Sequence, residues 1–282
     1  MNLCYHWARQ DPEGGITLSL HVNETGTPAT PSIVFLHGVG TSGWMWARQV
    51  AALADFHCLN VDLPGHGRSN RETWVSLADT AAQIAEIIQE RATSRRAHIV
   101  GLSLGGYVAL ALLDRHADVL DRVVISGVTA APWPNRALLN PQLGLMSVLL
   151  KRGWFVNMQA KSLHLSPDMQ AAFIENLRAM SMQVYRQVFR EGARFHVPPS
   201  LRTVDTPTLV TAGSRESNII TQAVGAIAHM MPNAQGRLAP GLGHGWNVEA
   251  PDLFNAMVRA WITGRPLPGQ LQAVNGGDGT SR

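Results

Sequence analysis

Residues 97–113 read Ala97-His-Ile-Val-Gly101-Leu-Ser103-Leu-Gly105-Gly-Tyr-Val-Ala-Leu-Ala-Leu-Leu113. An apolar run with β-branched residues enters this stretch, and an apolar segment of helical spacing leaves it. Between them stands Gly-x-Ser-x-Gly. Such a spacing predicts a strand that turns sharply into a helix with Ser103 at the apex. Gly101 and Gly105 flank the turn because its close backbone approach leaves no room for side chains. The start of a helix behind the serine favours negative charge near it. Ser103 is therefore the candidate nucleophile.

The same alternation extends both ways. Strands are predicted at 16–22, 32–36, 57–61, 97–101 and 122–126, with helices at 46–54, 77–89 and 105–115. From Trp133 to His196 only helical patterns follow one another: 142–151, 155–163, 167–180 and 182–190. Ser166-Pro167 looks like a helix start, with Ser as cap and Pro in the first turn. The strand–helix order resumes with strands at 206–212 and 235–238 and helices at 221–230 and 251–263. This order predicts an α/β fold, with a mostly parallel central sheet flanked by helices. An all-helical cap interrupts it. The expected division is a core of residues 1–131 and 201–264, a cap of 132–200 and a flexible, Gly/Pro-rich tail of 265–282.

Composition excludes several classes. Of 282 residues, 45% are hydrophobic and 15% charged, which suits a buried core and argues against global disorder. The net charge of +3 has no basic run beside it, so no nucleic-acid partner is expected. Nor does an arginine cluster that would await a phosphate stand out. Cys4 and Cys58 show no metal-ligand spacing, so neither a metal nor a cofactor is expected. No basic-then-apolar leader and no apolar run of membrane-spanning length is read, which leads to the expectation of a cytoplasmic protein with no membrane partner.

A serine nucleophile needs a base, and the base needs a carboxylate. Of the eleven histidines, His244 stands in Pro240-Gly-Leu-Gly-His244-Gly-Trp246, a loop between the last strand and the last helix. A base there can reach over the carboxyl edge of a sheet. Glu216 is the acid closest after the carboxyl end of the 206–212 strand, whereas Asp205 lies at its other end. An ion pair with Arg215 is the plain alternative for Glu216. After the 32–36 strand, His37-Gly-Val-Gly40 can aim a backbone N–H into the site. Val39 and Leu104 N–H are the candidate oxyanion donors, with His37 read as a prop for its loop.

Four blocks, His37–Gly40, Asp62-Leu-Pro-Gly-His-Gly-Arg-Ser69, Gly101–Gly106 and Gly241-Leu-Gly-His244, make the chain resemble the α/β-hydrolase superfamily, in its branch of capped esterases and lipases. The resemblance covers about residues 16–263. It implies the α/β-hydrolase fold, a Ser103–Glu216–His244 triad and a helical lid, and it makes Asp62, His66 and Arg68 scaffold. Two departures stand out: the family usually has Asp where Glu216 is, and the usual Pro downstream is absent from Gly213–Ile220. Trp44, Trp133, Met146, Trp154 and Met158 are the candidate substrate contacts. The reading implied is hydrolysis of small to medium apolar carboxylic esters through an acyl-enzyme. Its rivals are a carbon–carbon bond hydrolase or a perhydrolase with the same triad, and a non-catalytic receptor on this scaffold. Epoxide and haloalkane hydrolysis are disfavoured, because both need a carboxylate at position 103.

Overall fold

The computed structural model describes residues 8–10, 16–18, 20–134, 139–150, 152–162 and 165–274. In chain order these give β1 (Ala8–Gln10), β2 (Ile16–Leu18), β3 (Val22–Thr25), β4 (Ser32–Leu36), α1 (Ala47–Ala52), β5 (His57–Val61), α2 (Leu77–Arg91), β6 (Ala97–Leu102), α3 (Leu104–Arg115) and β7 (Leu120–Ser126). Four helices follow, α4 (Leu139–Leu149), α5 (Gly153–Ser162), α6 (Pro167–Ala179) and α7 (Met182–Arg194). The chain then forms β8 (Thr208–Gly213), α8 (Asn218–Met230), β9 (Ala234–Ala239), α9 (Trp246–Glu249), α10 (Pro251–Ile262) and β10 (Gln272–Ala273).

The main sheet has eight strands in the order β10-β9-β8-β7-β6-β4-β5-β3. The six inner strands are parallel, and β3 and β10 close the two edges antiparallel. Every residue of β4, β5, β6 and β8 is buried, as expected of strands covered on both faces. Alternate residues serve opposite cores. Val34 and Leu36 face a core shared with α2, α3 and α8, while Ile33 and Phe35 face Trp46, Phe254 and Trp261. The chain runs from β4 outward to β5 and returns to β6 on the other side of β4. That reversal brings the carboxyl ends of β4 and β6 side by side, and crevices outside such a switch point are where open α/β sheets take ligands.

Three expectations are corrected. The single strand expected at 16–22 is two: β2 pairs with β1 in a separate two-stranded sheet, and β3 joins the main one. The expected flexible tail is docked as far as residue 274. Leu271 is buried and β10 pairs with β9, because apolar residues punctuate this Gly/Pro-rich segment. Pro167 does open α6, but the Ser166 side chain makes no capping bond. Between β7 and β8 the described residues are helical or irregular. Cys4 and the end of the tail lie outside the described residues, and Cys58 is a buried free thiol whose pKa burial pushes up to about 11.

Candidate active site

The turn between β6 and α3 is as tight as its glycines suggest. A Cβ on Gly105 would lie 2.0 Å from the Leu36 carbonyl oxygen, and one on Gly101 2.4 Å from the Gly105 oxygen. Ser103 has φ +55° and ψ −112°, a region an L-residue occupies at a cost of about 1–3 kcal/mol. Neighbouring backbone holds it there. Ser103 N–H donates to Ser126 O at 2.8 Å, and Tyr107 N–H donates to Ser103 O at 3.0 Å. Strain held in place by the surroundings is what keeps a side chain pointing off the end of a sheet.

Glu216 comes from the segment after β8 and His244 from the loop after β9. Beyond β8, a hypothetical Cβ on Gly213 would collide with the oxygens of Leu242 and Gly243, so the two loops touch through backbone. Arg215 N–H donates to Leu242 O at 2.9 Å and Glu216 N–H to Gly213 O at 3.1 Å. The Glu216 carboxylate is 2% exposed and both its oxygens are used: Oε1 accepts from Gly213 N–H at 3.0 Å, Oε2 from His244 Nδ1 at 2.5 Å. The imidazole, 41% exposed, keeps Nε2 on its other side. Arg215 pairs with Glu249 instead, which removes the plain ion-pair alternative for Glu216.

Gly127 joins this pair to the serine turn. It follows Ser126, which accepts the Ser103 amide, and has φ +70°. A Cβ there would lie 2.7 Å from His244 Cε1, 2.9 Å from Nδ1 and 3.5 Å from Glu216 Oε2. The imidazole therefore lies over bare backbone at the end of β7. No reading of the sequence singled out Gly127; a glycine directly after a strand carrying the apolar run Val123-Val124-Ile125 was the signal available.

Beside Ser103 runs the loop after β4. Gly105 N–H is taken by His37 O at 3.0 Å, and Gly38 N–H points to the Met45 sulfur at 3.5 Å. Among the described residues, the amides of Val39 and Leu104 have no protein acceptor. His37 is a prop. Its Nδ1 donates to Gly38 O at 2.8 Å and its Nε2 accepts Leu63 N–H at 2.9 Å. Burial pushes its pKa down to about 4, so it stays neutral. His66, its ring tilted against that of His37 at 5.2 Å, is pushed down to about 3, first by burial and then by His37. Asp62 accepts from the amides of Gly43 and Arg68 at 2.7 and 2.8 Å, which is scaffold work.

A cavity of about 50 Å³ opens on Ser103. Val39, Leu104, Leu77 and Tyr107 line it from the core, and Trp133, Val188, Phe189 and Gly192 from the cap. Of the five candidate substrate contacts, only Trp133 is here. Trp44 borders a separate cleft with Asn176. Met146 is half-buried against the cap core. Trp154 and Met158 are 63% and 51% exposed, because α5 turns Phe155, Val156 and Ala160 inward and carries these two on the other side. Where apolar and polar residues are mixed around a helix, as they are here, hydrophobicity does not say which side is buried. Leu77, Tyr107, Val188 and Phe189 were missed. For the last two, the signal was the strict apolar/basic division of α7. Among the described residues, no group of three His, Cys, Asp or Glu side chains gathers to hold a metal, and no helix is long and apolar enough to cross a membrane.

A mostly parallel sheet with a strained serine turn, a Glu–His pair on adjoining strand ends and a helical segment inserted between β7 and β8 defines the class. The chain belongs to the alpha/beta hydrolase family, which it matches over residues 33–257. It is 29% identical over 271 residues to RutD of Caulobacter sp. (strain K31), whose name assigns it provisionally to carbamate hydrolysis; the match covers 89% of this chain and 98% of that one. It is 26% identical to a 2-hydroxy-6-oxononadienedioate/2-hydroxy-6-oxononatrienedioate hydrolase of Pseudomonas sp, over 87% and 92% of the two chains. The crystal structure of the enol-lactonase from Burkholderia xenovorans LB400 has the same fold, with a TM-score of 0.71 at 24% identity over 86% of this chain and 96% of that one.

Proposed function

We propose that this hydrolase cleaves carboxylic esters of short acyl chain through an acyl-enzyme on Ser103. The observation that carries this reading is the His244–Glu216 pair beside the serine turn, with Nδ1 held by a buried carboxylate and Nε2 left free. His244 Nε2 takes the Ser103 proton as Oγ attacks the ester carbonyl. The carbonyl oxygen becomes an oxyanion and is received by the Val39 and Leu104 amides. As the intermediate collapses, the alcohol leaves with the proton from His244. Water then attacks the acyl-enzyme, His244 again takes a proton, and the acid departs as Ser103 recovers its hydrogen. Glu216 fixes the imidazole with its proton on Nδ1 and offsets the charge that Nε2 acquires.

Cavity size argues for a short acyl group. At about 50 Å³ the space beside Ser103 is well below the roughly 300–1,000 Å³ of pockets that take drug-sized ligands. Its apolar walls favour a hydrocarbon acyl group over a charged one. A second reading, carbon–carbon cleavage of a dicarbonyl substrate, is supported by the name of the Pseudomonas relative. The same triad would serve it.

The test is a p-nitrophenyl ester series from acetate to octanoate, run beside a vinylogous 1,5-diketone. Acetate is expected to give the highest kcat/KM, and Ser103→Ala to lower kcat by about 10⁵ or more with the fold intact. Near-parental turnover in Ser103→Ala, or cleavage of the diketone alone, would overturn the ester reading.

A further inference from the structure

Helix α7 is a wall with a different space on each side. Val188, Phe189 and Gly192 face the serine cavity, while Arg186, Arg190 and Arg194 border a cleft of about 870 Å³ between the cap and helices α2 and α3. Leu77 lines both spaces. Arginines at every fourth residue share one face of a helix, a clustering the linear sequence conceals. We propose that this cleft binds a small organic anion carrying two carboxylate or phosphate groups.

Three observations carry the proposal. The first is the state of the acids. Glu191 gives one oxygen to the Leu77 amide at 2.7 Å and the other to the Trp74 indole N–H at 2.9 Å, so both oxygens are engaged at the start of α2 rather than by Arg190 or Arg194. Asp114 accepts from the Ser200 hydroxyl and lies 3.5 Å from Arg115. The second is the state of the bases. Among the described residues, Arg190 donates only to a neutral group, Asn140 Oδ1 at 3.0 Å, and Arg194 has no charged partner. Both are exposed into the cleft. Their guanidinium charge is therefore not cancelled by protein, and a guanidinium fork matches carboxylate and phosphate oxygens.

Third is shape. A solvated basic helix face is ordinarily convex. This one forms a side of a concavity whose other walls come from the α2 start, the α3 end and the segment after α7. Its volume lies within the range of small-molecule sites. Arg190 and Arg194 are one turn apart, about 6 Å along the axis, which sets the separation of the two acidic groups. Val75, 56% exposed, and Phe195 supply an apolar surface for the atoms between them.

The experiment is titration calorimetry of the full chain with adipate, propane-1,3-diyl bisphosphate and acetate at matched ionic strength. At least one of the first two is expected to bind and acetate not to; which one binds separates a carboxylate source from a phosphate source. The pair Arg190→Gln/Arg194→Gln should weaken that binding about tenfold or more, with an unchanged urea midpoint. The control pair Arg48→Gln/Arg71→Gln, on other exposed positions, should bind as the parent does. No heat above acetate for either dianion, undiminished binding by the first pair, or equal loss in the control pair would each overturn the proposal.

Discussion

The strand ends of the core and the helices of the cap hold side chains by different means. At the ends of β6, β7 and β8, position is set by backbone: Ser103 N–H on Ser126 O, Gly213 N–H on Glu216 Oε1, and bare glycine under His244. In the cap, position is set by which apolar residues turn inward, as Val188 and Phe189 do and Trp154 and Met158 do not. Backbone hydrogen bonds fix atoms to within tenths of an ångström, whereas apolar packing tolerates exchange of similar volumes. Reaction chemistry is therefore expected to be brittle at the strand ends, and substrate choice adjustable in the cap.

The largest effect that would test this difference, after loss of the serine itself, is at Glu216. Glu216→Gln keeps the volume but removes the charge that stabilises imidazolium, and kcat is expected to fall by roughly 10³–10⁴. Steady-state turnover of p-nitrophenyl acetate measures it. Unchanged turnover would assign the carboxylate role elsewhere and leave the short His244–Glu216 contact merely structural.

Next comes Gly127, a positioning residue. Alanine there meets a positive φ and pushes on His244 Cε1 from 2.7 Å. An ångström of imidazole displacement costs on the order of 10² in rate, so Gly127→Ala should lower kcat by about that factor with KM little changed. Alanine at Gly144, in cap helix α4 with nothing within 4 Å of its Cβ, should change neither. Equal behaviour of the two variants would abolish the contrast between rim and cap.

Acid probes the rim through stability. His37 and His66 are neutral in the fold, with pKa values held at about 4 and about 3 against 6.5 when free. Below pH 6.5 the unfolded chain binds protons that the folded chain refuses, so stability is full above 6.5 and declines as pH falls toward 4. From pH 7 to pH 5 each histidine should cost roughly 2 kcal/mol. Urea midpoints at the two pH values read the loss directly; a flat profile would mean that these rings are hydrated in solution.

The same contrast explains what the sequence disclosed. Strand ends are legible because close approach demands particular residues: Gly101 and Gly105 around Ser103, and the glycines before His244. Chain order then points to Glu216, and the structure sets that carboxylate on His244 Nδ1. Gly127 escaped notice because a lone glycine has many uses, and only the ring above it reveals this one. In the cap, helix existence was readable from periodicity, but facing was not. Residues 139–149 and 153–162 are apolar on several sides, so Met146, Trp154 and Met158 looked equivalent to residues that do reach the serine. Helix α7 was the exception, its charged and apolar faces cleanly separated, and it is the helix that lines the cavity.

The smallest expected effect separates the two kinds of cap residue. Val188 touches the space beside Ser103, so Val188→Ala should enlarge an acyl pocket of about 50 Å³ by two methyl groups. Each buried methylene is worth about 0.8 kcal/mol, which would raise kcat/KM for butyrate relative to acetate by several-fold. Trp154→Ala and Met158→Ala remove exposed surface on α5, and the butyrate-to-acetate ratio should stay at the parental value. If the α5 variants shift the ratio and Val188→Ala does not, α5 must turn inward during turnover, and the acyl group is gripped by the residues that face outward here.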